Sequence, residues 1–131
     1  MTTESGVDTA TKACAKTGGA FLYGSLHCTA GCPWISINSK KPGGKSKIRA
    51  HKKHFLRLMH NWLRVARRNK ALGGTHAFEW PKNCSLWKLR IVQDMKDELG
   101  LVDVIFDGYA VGLESHHGSN TGLPIHKPWK R

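Results

Sequence analysis

The amino-acid sequence predicts an α/β fold: a small, mostly parallel three-stranded sheet with two crossover helices. Three observations carry that expectation. Apolar runs with strand character recur at Ala20–Leu26, His76–Trp80 and Val102–Phe106. Two stretches of helical period lie between them, Ser46 to about Lys70 and a second ending at Leu99. Turn residues punctuate each change: Gly73-Gly74, Pro81 and Gly100. Strands alternating with helices read as two βαβ units, whose usual right-handed crossovers make the strands parallel and gather their carboxyl ends on one edge.

Residues 1–19 are polar, Thr-rich and without period, and are expected to be a disordered tail before an α/β domain over 20–131. Ala20–Leu26, bounded by Gly18-Gly19, is the first buried strand and delivers His27 and Cys28 to its carboxyl end. Thr29 to Lys45 carries Gly31, Pro33, Pro42, Gly43 and Gly44 among Lys40, Lys41 and Lys45. It reads as a flexible basic lid over the strand ends, with Trp34 and Ile37 as its anchors.

The first helix has two faces. Phe55, Leu58, Met59, Trp62, Val65 and Ala66, with Ile48 upstream, form the packing stripe; Arg49, Lys53, Arg57, His60, Arg64 and Arg68 lie opposite, with no acid among them. Lys45, Lys47 and Arg49 crowd its start, where positive charge opposes the macrodipole and a bound anion would relieve it. The second helix, capped by Asn83 or Ser85, buries Trp87, Ile91, Val92, Met95 and Leu99 and stops at Gly100. Val102–Phe106 is the third strand. Asp107-Gly108 signals either a hairpin or, as the reading preferred here, the start of a glycine-rich loop through His116-His117 and Gly118; a last strand begins between Leu123 and Trp129.

Composition bounds the partners. Twenty-one Lys and Arg against nine Asp and Glu give a formal net charge of +12, which favours a polyanion, nucleic acid before an acidic membrane. Four unevenly spaced cysteines, no signal-type run and no apolar span fit a cytoplasmic or nuclear protein without disulfides.

The shared strand edge is expected to present Cys28, Glu79 and Asp107 beside the basic loop. A thiol and a carboxylate there suit nucleophilic chemistry, provided positive charge activates the thiol; an inert half-buried thiol and a helix-capping glutamate are the plainer alternatives. Cys28, Cys32, His51 and His54 are zinc-type ligands, but their spacing departs from that of zinc fingers and no metal site is expected. No Walker loop, Gly-x-Gly-x-x-Gly, His-Glu-x-x-His or EF-hand loop occurs.

The ordered set Ser25-Leu26-His27-Cys28-Thr29, Phe78-Glu79-Trp80-Pro81, Phe106 to Leu113 and Lys127-Pro128-Trp129 resembles a segment of retroelement-type polyproteins. That segment is similar in turn to the second half of a class I, S-adenosylmethionine-dependent DNA cytosine methyltransferase. The resemblance implies a Rossmann-like half-fold in which Cys28 stands at the nucleophile position, Glu79 at the acid that contacts the base, and Tyr109 to Gly112 at a later loop. His27 replaces the family's proline, Trp80 its asparagine, and the cofactor-binding glycine strand is missing. The resulting expectation is a basic nucleic-acid-binding module, inactive alone, with Arg49, Lys53, Arg57, Arg64 and Arg68 as its contacts and no cofactor. The alternative is a cytosine-C5 methyltransferase fragment whose S-adenosylmethionine site comes from a partner domain. Both helices should lie on one side of the sheet, leaving an apolar face to be covered by a second copy in a homo-oligomer or by a missing upstream domain.

Overall fold

The computed structural model describes residues 3–116, 118–124 and 128–130, without the side chains of Tyr109, Asn120 and Trp129. It is a mixed α/β structure. In chain order it contains α1 (Glu4–Lys16), β1 (Phe21–Gly24), α2 (Ile35–Asn38), α3 (Gly44–Ala71), β2 (Thr75–Phe78), β3 (Trp80–Pro81), α4 (Arg90–Leu99), β4 (Ile105–Asp107) and β5 (Pro128–Lys130). Single 3-10 turns at Ser85–Lys88, Gly108–Val111 and Gly118–Asn120 complete it.

β1 and β2 pair in parallel, Phe21 opposite Thr75 and Gly24 opposite Phe78, with α3 as their crossover. Alternation along the strands turns Leu22, His76 and Phe78 toward α3, where Phe78 meets Trp62 edge-on at 5.1 Å. Gly24 belongs to that face too. A Cβ there would stand 2.5 Å from the Phe78 ring and 2.9 Å from Trp62, so only glycine lets α3 approach this closely. The core runs from Phe55, Met59, Trp62, Leu63 and Ala66 of α3 through Phe78, Trp80, Leu86 and Trp87 to Val92, Met95 and Leu99 of α4. Six of the seven residues expected in the stripe of α3 are buried and Ile48 is half-buried, while Leu63 and Asn69 join them unforeseen.

Asn69 is fully buried and fully used. Its Oδ1 accepts from the Ala20 amide at 2.8 Å and its Nδ2 donates to the Ala20 carbonyl at 2.8 Å, while its own carbonyl accepts from Gly74 N at 2.9 Å. One amide side chain thereby joins the end of α3 to the start of β1, and its backbone joins it to the approach to β2.

The expected three-stranded parallel sheet is not formed among the described residues. Residues 102–104 belong to no ladder, and a cleft of about 230 Å³, lined by His76, Ala77 and Phe78 on one side and Gly100 to Val104 on the other, separates them from β2. The strand starts later and pairs elsewhere. β4 and β3 both lie antiparallel to β5, in the order β3-β5-β4. Charge explains part of this choice: Asp103 accepts ion pairs from Lys96 at 2.8 Å and Lys130 at 2.6 Å, which fasten the segment to α4 and β5. Burial alone would raise the Asp103 carboxyl, but the bonded Lys130 and Lys96 ammoniums hold it below its ordinary value. Asp107-Gly108 leads into a 3-10 turn, not a hairpin. Of the expected last strand, residues 125–127 lie outside the described residues, as does His117 of the preceding loop.

Two further expectations are corrected. Residues 3–19 are not a disordered tail: Thr3 caps α1 by accepting from Gly6 N at 3.2 Å, and Val7 and Cys14 are buried against Val65 of α3. The second helix is broken, because Leu89 is extended (φ -69°, ψ 136°) between the 3-10 turn and α4, and neither Asn83 nor Ser85 caps it. Gly100 closes α4 in the left-handed region as expected (φ 70°). α1 packs beside α3, and on the other face of the sheet Phe21 is 61% and Tyr23 42% exposed, their rings 6.4 Å apart.

Replacing Asn69 with the near-isosteric leucine strands the Ala20 amide and carbonyl without partners, which at ~1–3 kcal/mol for a buried unsatisfied group predicts a loss of about 3 kcal/mol. Urea denaturation of the Asn69→Leu variant measures it, and an unchanged midpoint would show that the clamp is dispensable.

Candidate nucleic-acid interface

A basic surface is formed by the turn after α2, with Lys40 and Lys41, and by α3. α3 carries 28 residues, about 40 Å of helix at ~1.5 Å per residue, longer than the two-stranded sheet beneath it. Its start has no side-chain cap and no acid in the first turn, and Lys45, Lys47 and Arg49 are exposed there.

All five arginines and lysines expected on the outer ridge, Arg49, Lys53, Arg57, Arg64 and Arg68, are exposed. They are not equivalent. Arg64 is gripped by Glu4 of α1, with Nη1 2.8 and 3.0 Å from the two carboxylate oxygens, and the bond to Arg64 holds the Glu4 carboxyl below its ordinary value. Arg67 is likewise paired with Glu98 of α4 at 2.7 and 2.8 Å. Among the described residues Arg49, Lys53, Arg57 and Arg68 make no ion pair; the first three lie on the first half of α3 and Arg68 in its last turn.

Histidines are interleaved with these cations. His27, from the end of β1, stacks on His54 of α3 with ring centroids 5.2 Å apart and planes 18° from parallel. Arg57 Nη2 lies 3.2 Å from His54 Nδ1, a contact that leaves Nδ1 as the acceptor. Partial burial first, then the nearby His54 and His51, push His27 below its ordinary value. Beside this group a cleft of about 310 Å³ opens between α2 and α3. Ile35 and Ile48 form its apolar wall; Asn38, Lys41, Lys47 and His51 form its polar one, and no carboxylate lines it.

Trp34 and Ile37 were expected to anchor this loop, and the structure corrects that: they are 67% and 51% exposed. The loop is held instead by Gly31, whose amide donates to Cys28 O and whose carbonyl accepts from Ser85 N, both at 2.8 Å. A Cβ at Gly31 would lie 2.4 Å from Leu86 Cγ, so this contact also requires glycine.

The candidate chemical residues are distributed less simply. Cys28 and Glu79 follow β1 and β2 at the same end of the parallel pair, with Glu79 N donating to Gly24 O at 2.9 Å and Ser25 Oγ 3.5 Å from Glu79 Oε1. Asp107 ends β4 in the other sheet, so the expected three-residue rim on one sheet is not built. Trp80 has a structural role, stacking edge-on against Phe78 and donating its indole N–H to Leu26 O, which ties β3 to the chain leaving β1. Half-buried Cys28 packs against the main core. Burial pushes the Cys84 thiol up to about 11, with Cys28 and Cys32 adding to the shift and the backbone of Leu86 opposing it. Sequence spacing gave no sign that Cys84 joins the Cys28–Cys32 turn. Among the described residues no group of three or more His, Cys, Asp or Glu is placed to hold a metal, and no helix is long and apolar enough to cross a membrane.

The sulfonium of S-adenosylmethionine is cationic, whereas the cleft following Cys28 presents Lys41, Lys47 and His51 and, among the described residues, no carboxylate.

The histidine and thiol environments make two predictions. Because His27 titrates lower folded than its ordinary 6.5, its contribution to stability is complete above about pH 6.5 and is lost as pH falls through the folded value; urea midpoints measured from pH 7.5 downward should decline, and His27→Asn should flatten that decline. Cys28 and Cys32, half-buried, should be alkylated by iodoacetamide under native conditions before the buried Cys14 and Cys84. Peptide mass mapping showing Cys84 among the first to react would contradict this geometry. Compared with known protein families, characterised proteins and solved structures, the chain matches none.

Proposed function

We propose that this protein is a nucleic-acid-binding module that works through the first half of α3 and the lysine-rich turn before it. One observation carries the reading: among the described residues Arg49, Lys53 and Arg57 have no carboxylate partner, whereas Arg64 and Arg67 on the same helix are neutralised by α1 and α4. Acids are thus available to the structure and are spent on docking helices. An exposed cationic face that repels itself is sustained most easily by a polyanion, and phosphates are the polyanion that arginine and lysine together suit.

The resemblance to a cytosine methyltransferase half-fold is carried forward as an origin for this module. Its support is the common position of Cys28 and Glu79 beyond the carboxyl ends of β1 and β2. A working methyltransferase on this reading would need a second chain for S-adenosylmethionine, and the exposed Phe21 and Tyr23 offer that chain an apolar contact.

Binding led by phosphates falls with salt by about 0.9 of a log unit per log unit of salt for each contact. The double variant Lys53→Glu, Arg57→Glu should weaken binding to all sequences alike, by roughly 10-fold or more at low salt, and lower the slope by about 2. Arg64→Glu should weaken binding less than either replacement and should loosen α1, because Arg64 is already paired. Fluorescence anisotropy across a salt series measures these effects, and an affinity indifferent to the double variant would reduce the ridge to a solvated helix face.

A further inference from the structure

The loop before α3 exposes an indole where the sequence called for an anchor. Trp62, Trp80 and Trp87 are all buried, whereas Trp34 is 67% exposed and Ile37, three residues on, is 51% exposed. Both belong to the single turn formed by Trp34 and α2, whose other side, Ile35 and Asn38, lines the cleft shared with Lys41, Lys47 and His51. A flat aromatic surface, an adjoining cleft with one apolar and one cationic wall, and a run of exposed lysines therefore lie within one short stretch of chain.

We propose that this surface takes single-stranded nucleic acid, with one base stacked on Trp34 and the adjacent phosphates held by Lys41, Lys47 and the basic face of α3. The inference rests on the nucleic-acid reading above and adds the strand state. In a duplex the bases cover one another and present only edges in the grooves, so an indole gains nothing by stacking; in a single strand each base has a free face. Stacking is tolerant of sequence, so no base-specific contact is required. An anionic membrane also attracts tryptophan beside lysine, but the cleft suits a discrete base and phosphate better than a bilayer surface.

The test uses the full chain and two probes, an oligodeoxythymidylate of about 12 nucleotides and a duplex of the same length. Single-strand binding should quench tryptophan fluorescence, and Trp34→Ala should abolish that quenching and weaken single-strand affinity by about 10-fold to 100-fold. Duplex affinity and the salt slope should be unchanged, because the phosphate contacts remain. Equal losses on both probes, or no loss on the single strand, would overturn the stacking assignment while leaving the basic-face reading intact. Failure of both probes to bind at low salt would overturn both readings. Binding to phosphatidylserine vesicles that depends on Trp34, with oligonucleotide affinity unaffected by its loss, would assign the surface to membranes instead.

Discussion

Asn69 is the constraint on which the arrangement depends. A fully buried amide has four hydrogen-bonding sites to satisfy, and here Ala20 takes one donor and one acceptor at 2.8 Å each. Gly74 is fitted to the same group: a Cβ there would lie 2.3 Å from Asn69 Nδ2. The end of α3, the entry to β1 and the entry to β2 are consequently fixed together. Since β1 and β2 pair in register from this point, the clamp also determines where both strands release the chain, and hence where His27, Cys28 and Glu79 lie.

From this anchored end, α3 runs outward with its two halves under different conditions. The later half is enclosed by α1 and α4, through Glu4 on Arg64, Glu98 on Arg67, and Lys70 bonding to the carbonyl of Glu98. Arg64 and Arg67 are answered there, and Arg68 makes no ion pair among the described residues. The earlier half carries Lys45, Lys47, Arg49, Lys53 and Arg57 without such acids, and it ends beside the α2 cleft and the stacked His27 and His54. Part of the net charge of +12 is therefore left unpaired, among the described residues, along the first half of this helix.

The segment Phe78-Glu79-Trp80-Pro81 performs a packing task that its position at a strand end did not reveal. Phe78 and Trp80 form part of an edge-to-face aromatic network with Phe55, Trp62 and Trp87, and such contacts add about 0.5–1.5 kcal/mol each beyond area burial. Alternation between those two buried rings turns Glu79 the other way, toward Ser25. Pro81 then accepts from the Trp87 indole at 3.1 Å through its carbonyl and pairs with β5, so the residues that end the parallel strand begin the antiparallel sheet.

Much of this was legible in the chain itself. The stripe and ridge of α3, the glycine stops at Gly73 and Gly100, and the strand character of Ala20–Leu26 and His76–Phe78 follow from local periodicity and from the φ that only glycine adopts easily. α1 was not legible: the apolar stripe of Val7, Ala10 and Cys14 is too thin to declare a helix until Val65 of α3 lies against it. Tertiary structure decided what periodicity does not encode. Residues 102–104 have strand composition, yet the ion pairs of Asp103 hold them away from β2. Arg64 and Arg57 look alike on a helical wheel, and only the placement of Glu4, sixty residues away, separates them. Trp34 had the composition of a core anchor and became surface because Gly31 docks the loop in its place. In each case a local pattern specifies what a residue is able to do, and contacts between distant parts of the chain select which of those uses it has.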